Sequence, residues 1–199
     1  DAIKFQTHIF NAESTKRAPN PPYFSDETRE EYFNRTSFTK DQWIDLRLFI
    51  EDNLKKDFIS SPFSLEAIDL LESVGIKKYK IPSGEITNIP LLEKVAKTGK
   101  EVIISSGMSN LNELDKAVSI FNRENLILLQ CTSEYPCPPE KAGLNLINFF
   151  SKRYKIPIGF SDHTDSISIP IAAVTLGAKI IEKHFTLSTE MYGSDAKNS

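Results

Sequence analysis

Apolar and polar positions along the chain follow two alternating rhythms. Runs with two-residue alternation or continuous β-branched character predict strands at "AIKFQ" (2–6), "KDFISSPF" (56–63), "KYKIPSGE" (78–85), "EVIISSG" (101–107), "LILLQCTS" (126–133), "IPIGFSD" (156–162) and "KIIEKHF" (179–185). Amphipathic stretches with helix punctuation lie between them. Thr39 followed by Gln42 is a capping-box spacing ahead of "WIDLRLFIEDN", and Asn110 followed by Glu113 opens "LNELDKAVSIF". Gly75, Gly99 and Gly177 follow helical patterns where a C-terminal cap belongs.

After the first connection, strand starts recur roughly every 22–30 residues, the spacing of βα units. Such an alternation requires a parallel sheet with helices outside it. A doubly wound sheet would show a Gly-rich phosphate turn after its first strand, and none occurs. A (β/α)8 TIM barrel instead carries functional side chains at the C-terminal ends of many strands. The chain has them strand after strand, from Lys4 and Gln6 through Ser60 and Ser61 to Glu182 and His184. The fold predicted is therefore an α/β (β/α)8 barrel with seven strands present. Residues 11–40 form a polar, Pro-containing connection of unusual length, either a lid over the active face or a solvated loop.

Composition narrows the function classes. Of 199 residues, 40% are apolar and the net charge is -3, which argues against a bulk nucleic-acid or anionic-membrane surface and leaves room for a local basic pocket. No apolar run approaches the ~18 residues of a membrane span, so no membrane partner is expected. Cys131 and Cys137 are expected to be reduced thiols of a cytoplasmic protein rather than a disulfide.

Strand alternation then assigns directions. Ile3 and Phe5 share one face of the first strand, so Lys4 and Gln6 point the other way, inward. Ser161 shares parity with His163, and Glu182 with His184. Both "PIGFSDHT" and "IIEKHFT" are strand-like runs ending in histidine. Neutral imidazole is a common ligand for divalent metals, and two histidines from neighbouring strand ends would leave positions open for substrate. The alternative is two hydrogen-bonded histidines in polar strand ends. Lys4 and Lys80 sit inside strands among Ser and Thr hydroxyls, a set suited to phosphate or carboxylate; the alternative is that they snorkel to solvent. A Schiff-base role for Lys4, Lys80 or Lys183 is disfavoured, because the histidines supply a metal-based route to the same carbonyl activation.

The ordered motifs "KFQT", "YKIPSGE", "ISSGM", "LLQCTSEYP", "GFSDHT" and "IEKHFT" resemble the sialic acid synthase family across the whole chain. The resemblance implies condensation of phosphoenolpyruvate with an N-acylated amino sugar, such as N-acetylmannosamine, to a nine-carbon 2-keto acid of N-acetylneuraminate or legionaminate type. It implies manganese or magnesium on His163 and His184. It also implies phosphoenolpyruvate against Lys4, Ser61, Lys80, Ser83, Ser105, Ser133 and Ser161, the amino sugar against Gln6, Glu85, Tyr135 and Asp195, and Glu182, with Lys80, at the reacting centre. Ser133 stands where many relatives carry Asn, and Ala196 where His is frequent. A different or phosphorylated acceptor, or a non-catalytic sugar-phosphate-binding barrel, is the competing reading.

The resemblance also implies that residues 1–199 are a single catalytic barrel domain truncated at both ends. "AIKFQ" matches the family's second strand; the first, and a C-terminal antifreeze-like domain, do not occur. The full-length protein is expected to be a homodimer. The piece alone is expected to associate through unpaired edges at strands 2–6 and 179–185 and to lack synthase activity.

Overall fold

A computed structural model describes residues 1–15, 17–20, 27–192 and 196. Seven strands follow one another in the sheet in chain order. They are β1 (Ala2–Thr7), β2 (Asp57–Pro62), β3 (Lys78–Ile81), β4 (Glu101–Ser105), β5 (Leu126–Cys131), β6 (Ile158–Asp162) and β7 (Ile181–Lys183). The chain divides into two compact units, residues 1–80 with 90–101, and residues 81–89 with 102–199. Among the described residues no helix is long and apolar enough to cross a membrane.

In the first unit β1 and β2 run parallel, with Lys4 opposite Ile59 and Gln6 opposite Ser61. Phe5 stacks on Phe58 and meets Trp43 edge-on. Trp43 belongs to α3 (Lys40–Leu48), so this face of the strands is the helix side. Helix α3 opens with the expected capping box, Thr39 and Gln42 each bonding the other's backbone N–H. The connection before it holds two more helices, α1 (Phe10–Glu13) and α2 (Arg29–Thr36). Thr28 and Glu31 form a capping box for α2 that the sequence reading passed over inside a stretch judged polar loop or lid.

Helix α4 (Leu65–Val74) shows how sequence becomes packing. Ser64 accepts the Ala67 N–H at its start, and Gly75, at φ 85°, ends it in the left-handed region. Ala67, Ile68, Leu71 and Val74 recur at helical spacing and are all buried. Each large side chain among them contributes roughly 1.5–3 kcal/mol of burial, and Leu71→Ala would cost about 2–5 kcal/mol.

Helix α5 (Ile89–Lys97) precedes β4, and β4 through β7 carry α6 (Leu111–Ile120), α7 (Asn145–Tyr154) and α8 (Ser168–Thr175) between them. Asn110 and Glu113 form the expected box at α6. Register sets one face of the strands: Ser105 lies opposite Leu129, Cys131 opposite Ser161, and Ser161 opposite Glu182. Gln130 has the opposite parity and donates to the Ala142 carbonyl ahead of α7, which marks the helix side.

Several strands end earlier than the alternation predicts. β3 stops at Ile81, because Pro82 brings no N–H to the ladder; Ser83–Glu85 is a 3-10 turn. β7 is three residues long rather than seven, and His163 and His184 each stand one residue beyond a strand.

Candidate active site

The first unit gathers its candidate residues on the face turned from the helices. Lys4, Gln6 and Ser61 have the parity opposite to Phe5 and Phe58. Tyr79, opposite Ser60, donates its hydroxyl to Glu72 of α4, so Lys80 shares the face of Ser61. Lys80 is only 3% exposed. The Ser61 hydroxyl is buried without a hydrogen-bond partner. A buried ammonium beside such a hydroxyl suits an anionic oxygen-rich ligand.

Gln6 touches a residue the sequence reading did not single out. His8 lies between the rings of Phe33 and Phe63, with centroids 4.4 and 4.0 Å away. Its Nδ1 is 2.7 Å from Glu13 Oε1, and its Nε2 is 3.2 Å from Gln6 Oε1. A cavity of about 300 Å³ beside them is lined by Gln6, His8, Asn34, Thr36, Phe38 and Trp43 among others. The signal was present: β1, like β6 and β7, is followed at once by histidine.

In the second unit the two remaining histidines lie side by side. Asp162 is opposite Lys183, and the next residue on each strand is His163 and His184. The two rings stack 28° from parallel with centroids 5.4 Å apart. Tyr135 packs on His163 at 4.0 Å and stands 5.9 Å from His184. His163 Nδ1 is 2.8 Å from the Thr132 carbonyl oxygen. A carbonyl only accepts, so Nδ1 carries the proton and Nε2 of the neutral ring is the basic nitrogen, the form that binds metals.

These residues fit a divalent cation. Two imidazoles side by side are a donor set that such ions take. Among the described residues no group of three or more His, Cys, Asp or Glu side chains could hold a metal ion. Asp195 lies outside the described residues.

Hydroxyls stand at the strand ends of the same unit. Ser161 donates to Glu182 Oε1 at 3.0 Å across β6 and β7. Ser83 Oγ is 3.2 Å from Ser133 Oγ, and the two enclose Gly107, whose φ is +31°. The Ser105 hydroxyl, 2% exposed by residue, is buried without a partner. Ser106 has a structural task instead, donating to Gln130 and accepting the Cys131 N–H. Glu85 ends the turn after β3, and its carboxylate accepts from the Asn88 side chain. Lys183 is turned to the opposite face: its Nζ is 2.8 Å from Asp162 Oδ2 and 2.6 Å from the Thr164 carbonyl, which removes it as a Schiff-base candidate. Cys131 and Cys137 are buried thiols rather than a disulfide, and burial pushes the Cys137 thiol up.

Three comparisons bear on these residues. The description "NeuB family" matches residues 1–199. The chain is 48% identical over 147 residues to N,N'-diacetyllegionaminic acid synthase of Campylobacter jejuni, covering 71% of this chain and 44% of that protein. It is 35% identical to N-acetylneuraminate-9-phosphate synthase of Mus musculus, covering 98% and 56%. The crystal structure of an N-acetylneuraminic acid synthetase from Leptospira borgpetersenii, in complex with citrate, matches at a TM-score of 0.81 and 36% identity over 100% of this chain and 67% of that one. The chain spans about half the length of the curated relatives it matches. With seven strands in chain order, this likeness makes the fold class the α/β (β/α)8 barrel.

Proposed function

The chain belongs to the NeuB family, and from that premise we propose that it forms the catalytic core of a synthase. The reaction joins phosphoenolpyruvate to N-acetylmannosamine or a related N-acylated amino sugar, giving a nine-carbon 2-keto acid of N-acetylneuraminate or legionaminate type and phosphate. The names of the Campylobacter and Leptospira relatives support this product class. The observation that carries the reading is the stacked pair His163 and His184, with Nδ1 of His163 pinned to the Thr132 carbonyl.

A manganese or magnesium ion held by the two imidazoles would polarise the aldehyde of the open-chain sugar. Lys4, Lys80 and the Ser61, Ser83, Ser105, Ser133 and Ser161 hydroxyls hold the phosphate and carboxylate of phosphoenolpyruvate and offset their charge. Gln6, Glu85, Tyr135 and Asp195 orient the sugar. Glu182, fixed by the Ser161 hydroxyl, is the proton-transfer group. Tyr135, stacked on His163, shields one face of that imidazole from water. The new bond joins C3 of phosphoenolpyruvate to the aldehyde carbon, water adds at C2, and phosphate departs with C–O cleavage.

The test is phosphate release from phosphoenolpyruvate by the full-length protein, with and without EDTA, across a panel of amino sugars. EDTA-sensitive release that depends on one N-acylated amino sugar is expected. Release that is insensitive to EDTA, or absent with every sugar, overturns the reading. A phosphorylated acceptor is the second reading, favoured by the name of the mouse relative; turnover restricted to the sugar phosphate would select it.

A further inference from the structure

We propose that Lys183 and Asp162 are positioning residues for the two-histidine site, acting as a clamp that sets the spacing of His163 and His184. The inference rests on the metal reading of those histidines. It starts from register. Asp162 and Lys183 are the last paired residues of β6 and β7, and each is followed directly by a histidine. The clamp therefore sits one residue before the point where both ligand-bearing segments leave the ladder.

The Lys183 ammonium reaches both sides of His163. It donates to Asp162 Oδ2 at 2.8 Å and to the Thr164 carbonyl at 2.6 Å. Asp162 is 0% exposed, and its other oxygen accepts from the Thr164 N–H at 3.0 Å and the Thr164 hydroxyl at 2.8 Å. Residues 162–164 are thus folded around one carboxylate and held by one ammonium from the neighbouring strand. On the far side of His163, the Cys137 N–H donates to its carbonyl and the Thr132 carbonyl accepts from its ring. His163 is fixed from both directions, and the Lys183 side links that fixation to the strand that carries His184.

β7 needs such a link. It has three residues, two half-buried and one exposed, and it pairs with β6 at three positions. A charge-assisted bond to a fully buried carboxylate is stronger than a neutral ladder bond, and it stands where the ladder ends. The parity that turns Lys183 and Asp162 toward the helix side keeps both away from Ser161 and Glu182, so they act through the histidines and not on substrate. Groups that orient metal-binding histidines from behind affect metal affinity without contacting the metal.

The experiment is manganese binding to the EDTA-treated full-length protein, followed by the electron paramagnetic resonance signal of free Mn2+, with thermal melting in parallel. Asp162→Asn and Lys183→Met are expected to weaken Mn2+ binding by about 10- to 100-fold, while Lys183→Arg, which keeps the charge and the donors, stays within about threefold. Wild-type Mn2+ affinity in Lys183→Met, or failure of Lys183→Arg to restore it, overturns the clamp and leaves the metal reading intact. Absence of Mn2+ binding to the unsubstituted protein, or unchanged binding in His163→Ala, overturns the metal reading and the clamp with it. Should Lys183→Met not fold, Thr164→Val decides the matter: it removes one hydroxyl from Asp162, and its Mn2+ affinity is expected to fall severalfold, with wild-type affinity again overturning the clamp.

Discussion

Ser83 and Ser133 meet hydroxyl to hydroxyl at 3.2 Å over the backbone of Gly107. A Cβ on Gly107 would lie 2.5 Å from Ser83 Oγ and 2.7 Å from Ser133 Oγ, closer than real contacts allow, and φ is +31°. Gly107→Ala is therefore expected to destabilise the protein by about 1–3 kcal/mol and to splay the two serines. Thermal melting measures the first effect. A rise in the Michaelis constant for phosphoenolpyruvate, at unchanged affinity for the sugar, measures the second.

His163→Ala and His184→Ala should each remove metal-dependent turnover. Loss of one of two ligands is expected to lower phosphate release by about a thousandfold or more, the scale of metal stabilisation of a developing charge. Near-normal turnover in either variant would show that the stacked pair is packing and not chemistry.

Lys80→Ala tests the anion-binding assignment. Lys80 is buried on the face it shares with Ser61. Its removal should cost on the order of 2–4 kcal/mol in kcat/KM for phosphoenolpyruvate and little in sugar binding. Unchanged kinetics would make Lys80 structural.

Acid stability has an identifiable contributor outside the site. The Arg153 guanidinium, and then the Tyr154 hydroxyl, hold the Asp115 carboxyl below its ordinary value. A depressed carboxylate stabilises the fold fully above the unfolded pKa of about 3.9 and loses that contribution as pH falls through the folded value. Asp115 and Arg153 are 38% and 39% exposed, so solvent screening keeps the contribution below about 1 kcal/mol. Asp115→Asn should lower the melting temperature slightly near neutral pH, and the difference from wild type should vanish toward pH 2 in a melting series.

Strand periodicity carried most of the fold. The seven strands were legible because both of their faces are constrained, and the caps at Thr39, Asn110 and Gly75 were legible because each satisfies a backbone group that only a few residue types can satisfy. Two things were not. Strand ends depend on where the ladder loses a donor, as at Pro82, or where the chain turns away, as after Lys183. The helix Arg29–Thr36 has no buried residue, so it gives no apolar period to detect, and only its capping box betrays it. Within the candidate site, parity placed Lys4, Gln6, Ser161 and Glu182 on the faces observed. The roles of Gly107 and of the Asp162–Lys183 pair were hidden, since both arise from close approaches between segments far apart in sequence.

Ser61 and Ser105 are two of the buried hydroxyls that find no protein partner, and each lies on a strand among the candidate anion-binding residues. An unsatisfied buried hydroxyl costs about 1–3 kcal/mol, a substantial share of the margin that holds a domain together. Alanine at Ser105 should therefore raise the melting temperature of the free protein. A molecule that bonds these hydroxyls removes the same penalty in the native protein, so heat resistance should climb with ligand concentration. Melting temperature then becomes a gauge of occupancy that needs no turnover: phosphoenolpyruvate should protect the native chain in a graded way, and the stabilised Ser105→Ala variant should respond less.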